Sequence, residues 1–81
     1  MKFRIVSAPV DEQTEVVVTA RIFGVGDFDV AKLDRSKLGG AIIESWSQGA
    51  DKNEFVFRLS PQPAKRWKVN DIVVLNLKQS K

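Results

Sequence analysis

A small, closed or partly closed antiparallel barrel of five short strands is the fold class this sequence predicts, and three observations carry it. Apolar residues recur with period two in short runs rich in Val, Ile and Phe, the pattern of half-buried strands. Gly, Pro, Asn and Asp cluster between those runs, where turns need them. At 81 residues, an open sheet would leave one apolar face bare, so curling the sheet onto itself is the economical way to cover it. The whole chain, 1–81, reads as one such domain, without linker, repeat or low-complexity tract.

The first run, residues 2–6, alternates Lys2, Phe3, Arg4, Ile5 and Val6, with Phe3 and Ile5 inward, and is expected to end before Pro9. An acidic turn, Asp11-Glu12-Gln13, leads to the longest strand, residues 15–23. Val16, Val18, Ala20 and Ile22 form its uncharged face and are assigned to the core; Val17, Thr19, Arg21 and Phe23 form the other. Gly24 and Gly26 end it. Residues 29–38 carry an incomplete helical stripe, Val30, Leu33, Ser36 and Lys37, with Asp29 as a candidate N-cap and Leu38-Gly39-Gly40 as a stop. Either a short helix or an ordered loop fits there.

Residues 41–47 and 54–60 are strand-like arms around the polar loop 48–53, with Phe55, Phe57 and Leu59 facing the core. Ser60-Pro61 then resembles an N-cap followed by proline at the first helical position, which predicts a short helical turn over 61–67. Asn70-Asp71 opens a last strand, residues 72–78, with Val73, Leu75 and Leu77 on one side and Val74, Asn76 and Lys78 on the other. This order resembles an SH3-like barrel: long strands, an irregular middle connection, a tight hairpin, a helical turn and a short final strand. The resemblance is architectural and implies no activity. An OB-fold is the nearest rival, but its helix belongs between the third and fourth strands, where only a six-residue loop lies.

Composition narrows the chemistry. Without Cys or His, the chain has no disulfide, no thiolate nucleophile, no imidazole base and none of the commonest zinc ligands. An enzyme is therefore not expected, nor a cofactor or small-molecule substrate. The glycines of Gly24-Val25-Gly26-Asp27 lack the third glycine and following unit of a dinucleotide loop. Asp27, Asp29 and Asp34 do not match a Ca²⁺ loop, and turn formation explains the first two, so no metal site is expected. Ser36-Lys37 diverge on any helix, and Ser60 with Lys65 lacks a Ser-x-x-Lys spacing. No apolar run reaches the roughly 18 residues of a membrane helix, and the opening residues do not read as a signal peptide. The cysteine-free composition suits a cytoplasmic setting.

Two surfaces remain. In residues 41–47, turning Ile43 inward exposes Ile42 and Trp46, whereas turning Ile42 and Trp46 inward buries Glu44. With Ile43 inside, Ile42, Trp46 and Val56 form an apolar patch suited to a protein interface; a strand that buries both faces is the competing explanation. Folding so short a chain removes only about 60% of its surface from water, which favours association with a protein partner or with itself. The second surface is basic. Lys65, Arg66 and Lys68 surround Trp67, while Lys2, Arg4, Arg21, Arg58 and Lys78 occupy outward strand positions beside Thr19, Phe23 and Asn76. Cations contacting phosphates and an indole stacked on a base would suit single-stranded nucleic acid. Packing of Trp67 at a barrel end, with its cations solvated, suits the same residues.

A non-enzymatic module working through protein association, as an assembly component or an accessory factor on a larger complex, is the leading expectation. Single-stranded nucleic-acid binding is the alternative, and a net charge of +3 permits it without requiring it.

Overall fold

The opening alternation and the long Val-rich run pair with each other first. In a computed structural model describing residues 1–24 and 30–77, β1 (Lys2–Glu12) and β2 (Glu15–Phe23) form one antiparallel hairpin. Gln13, in the left-handed region at φ 63°, makes the turn between them. β1 continues through Pro9 rather than ending before it, and Asp11 and Glu12 belong to the strand. Register shifts on either side of Ser7 absorb the irregularity. Beyond Ile5, β1 has only β2 beside it among the described residues, and a strand edge tolerates a residue with no N–H.

The barrel has six strands, not five. Of the expected short helix or ordered loop the structure has both in part: a single 3₁₀ turn at Val30–Lys32, then the two-residue strand β3 (Lys37–Leu38) where the sequence suggests a helix stop. The proposed caps and ligands at residues 25–29, Asp27 and Asp29 among them, lie outside the described residues. Leu33 and Ser36 are buried, and the Ser36 hydroxyl donates to the Lys32 carbonyl. β4 (Ala41–Gln48) and β5 (Glu54–Leu59) form the expected hairpin, and β6 (Ile72–Asn76) closes the structure. The strand order is β1-β2-β5-β4-β3-β6, with β6 returning to β1 through Lys2, Phe3 and Arg4. β2 thus pairs with β5 and not with the strand that follows it. At that point the order departs from the hairpin-by-hairpin connection of an SH3-like barrel.

Between β5 and β6 the chain forms the short α1 (Pro61–Ala64), in which Gln62 has extended dihedrals. Ser60 does not cap it. Its hydroxyl accepts the Ile42 N–H at 2.9 Å, and its own N–H donates to the Ile42 carbonyl at 2.9 Å, so Ser60 extends the β4–β5 ladder. Of the residues assigned to the core, Phe3 and Ile5, Val16, Val18 and Ala20, Phe55, Phe57 and Leu59, and Val73 and Leu75 are buried, whereas Ile22, at the end of β2, is only half-buried against them. Phe3 lies edge-on to Phe57 with ring centres 5.5 Å apart, and to Phe55 at 6.0 Å. No helix among the described residues is long and apolar enough to cross a membrane.

Candidate functional site

The conflict in β4 is settled by a bulge. Ile43 pairs with Leu59, and then Ser45, not Glu44, faces Arg58, so Glu44 is an extra residue on the β4 side. One inserted residue reverses the alternation: Ala41 and Ile43 point inward before it, and Trp46, opposite Phe57, points inward after it. Trp46 packs against the core, its ring 5.6 Å from that of Phe55. Ile42 stays outward and exposed, opposite Lys37, while Val56 lies half-buried on the outer face of β5 between Thr19 and Ser47. The structure therefore does not bring Ile42, Trp46 and Val56 together on one face.

The basic residues separate into two groups. On the β2–β5 face, the Arg21 guanidinium donates to Asp51 at 2.6 Å and lies 3.7 Å from Glu54; Arg58 donates to Glu12 at 2.8 Å and lies 3.7 Å from Glu15. These partners raise both arginines further above their ordinary range, the hydrogen bonds first and the carboxylate charges second. Both cations are thereby neutralised within the chain. Lys2, Arg4, Lys65, Arg66 and Lys68 are exposed and have no carboxylate within ion-pair distance among the described residues. Lys78 lies outside the described residues.

Trp67, the candidate base-stacking residue, is half-buried against the core. Gly39, at φ 58°, makes room for it: a Cβ there would stand 2.7 Å from Trp67 Cζ2 and 3.2 Å from the Val73 side chain. Its flanking cations lie in the turn after α1, where the Lys68 N–H donates to Asp71. The geometry fits a ring that seals the barrel beside β6.

A surface the sequence reasoning did not single out lies on the outside of β2, β1 and β6. Lys2 pairs with Phe23 on one side and Val74 on the other; Arg4 pairs with Arg21 and Ile72. Directly opposed residues in antiparallel strands share a face, so these form two rows across three strands. Phe23, Ile72 and Val74 are 47%, 42% and 43% exposed. A third row, Ile42–Lys37–Asn76, continues the surface over β3. The unbroken apolar run Ile72-Val73-Val74-Leu75 was the available signal, because a strand solvated on one face alternates.

Asp34 is exposed, and the described residues hold no cluster of three or more acidic side chains suited to a metal ion. Chemically, the outer face offers apolar contact and three solvated positive charges, Lys2, Arg4 and Lys37. No family model, curated protein or solved structure matches this chain.

Proposed function

We propose that the chain is a non-enzymatic binding module acting through protein association, as an assembly component or an accessory factor docked on a larger complex. The observation that carries this reading is the trio Phe23, Ile72 and Val74. None of them belongs to the buried core, yet all three are exposed on the outer face of three paired strands, Ile72 and Val74 on β6 and Phe23 across Lys2 on β2. This surface replaces the Ile42–Trp46–Val56 patch as the candidate interface, retaining Ile42 at its margin. A cysteine-free domain of this kind suits a reducing cytoplasm, the setting we propose for it.

Native mass spectrometry of the protein recovered from the cells that make it tests the reading, with a Phe23→Ser/Val74→Ser double variant alongside. The wild type is expected to carry additional protein mass that the double variant loses while its circular dichroism stays unchanged. A wild-type monomer free of bound protein would sink the idea.

Single-stranded nucleic-acid binding keeps one supporting observation, the exposed Lys65, Arg66 and Lys68 around Trp67. It requires salt-dependent affinity for an oligonucleotide that falls when Lys65 and Arg66 become Glu. Neutralised Arg21 and Arg58, with Trp67 lodged over Gly39, make it the weaker reading.

A further inference from the structure

The association face carries a charge its own chain does not answer. Arg4 and Arg21 stand opposite each other, a like-charge pair, but Arg21 is drawn to Asp51 and Glu54 on the far side of β2. Glu12 and Glu15 are occupied by Arg58, and Asp71 accepts the Lys68 N–H, which ties it into the turn before β6. Lys2 and Arg4 are left at the centre of the face, flanked by Phe23, Val74 and Ile72, with a third exposed cation, Lys37, at the β3 margin between Ile42 and Asn76. Any partner that covers the apolar residues also covers Lys2 and Arg4, and a buried cation needs a matching anion.

Resting on the association reading, we infer that the occupant is a protein segment presenting two carboxylates bordered by apolar side chains, not a second copy of this chain. Lys2 and Arg4 are alternate residues of one strand, so their side chains leave the sheet about 7 Å apart. An extended segment supplies carboxylates at that interval from positions i and i+2. A two-fold pairing with its axis at the centre of this patch would bring Lys2 and Arg4 close to their own copies, a like-charge crowding that disfavours such a dimer.

The test is an NMR titration of the full chain with a short peptide carrying Glu at i and i+2 and Leu at both ends. A matched peptide with Lys for Glu, and oligodeoxythymidine, serve as the other arms. The acidic peptide is expected to shift amides of residues 2–4 and 72–74, with affinity falling about tenfold in Arg4→Glu or Lys2→Glu and at high salt. Equal binding of the Lys peptide would overturn the charge inference while leaving the face as an association surface. So would a dimer in sedimentation that Val74→Glu dissociates, since the occupant would then be a second copy. Stronger shifts of the same amides by oligodeoxythymidine would reject a protein partner. A monomer whose face responds to none of the probes would remove the inference, whereas the association reading beneath it falls only if native mass spectrometry also finds no bound protein.

Discussion

Arg21 and Asp51 show how a single contact decides which surface is available for binding. Asp51 Oδ2 accepts from Arg21 and Oδ1 from the Asn53 N–H at 2.8 Å, and both hold its carboxyl below the ordinary range, the arginine contact more strongly. A carboxyl depressed on folding stabilises the native state above its unfolded pKa, and that contribution is lost as pH falls through the folded pKa. Both groups face solvent, so the effect on stability is slight and the titration itself is the informative quantity. We expect the Asp51 carboxyl, followed by ¹³C NMR, to titrate below the usual value near about 3.9. In Arg21→Gln it should rise towards that value without fully reaching it, because the Asn53 N–H still donates. An unchanged midpoint would mean that Arg21 is not held by Asp51 in solution and that its charge belongs to the outer face after all.

The course of β4 depends on one extra residue, and the bulge at Glu44 makes Ile42 and Trp46 unlike each other in consequence. Trp46→Ser removes a ring packed on Phe55 and the core, and should cost about 2–4 kcal/mol in urea unfolding. Ile42→Ser removes an outward side chain and should change stability by no more than about 0.5 kcal/mol. Comparable small effects from both would show that Trp46 stands outside the core. The alternation of Phe3, Val18, Phe57 and Val73 was legible because each strand hides one face, and a period of two reveals which. The bulge was not, since its only trace was the conflict it resolves: Ile43 and Trp46 lie three apart, at opposite parity, yet both pack inward. β3 was hidden differently. Two residues are too few to establish a period, and Leu38-Gly39-Gly40 equally describes a helix stop, whereas the structure uses Gly39 to admit the Trp67 ring. The outer face of β6 was passed over because Val73 and Leu75 satisfied the alternation, leaving Ile72 and Val74 as mere outward positions.

Closure joins parts of the chain that sequence pattern cannot pair. Local alternation tells each strand which side faces in, but not which strand lies beside it; the β2–β5 and β1–β6 pairings follow from how side chains fill the enclosed space. The same distinction orders the folding reaction. The β1–β2 and β4–β5 hairpins close across short turns at little entropic cost, while the β1–β6 seam matches Lys2 with Val74, nearly the full length of the chain away. We therefore expect the seam to form late, with overall folding in the millisecond-to-second range usual for non-local β topologies. Val73→Ala, at the seam, should then express most of its cost as faster unfolding, with φ between about 0 and 0.3. Phe57→Leu, in the strand between β2 and β4 and touching Phe3, should slow refolding, with φ of about 0.5 or more. Stopped-flow chevrons of the two variants separate these cases. If the cost of Val73→Ala appeared in the refolding limb, the seam would belong to the nucleus, and the outer face of β1 and β6 would be among the first surfaces assembled instead of the last.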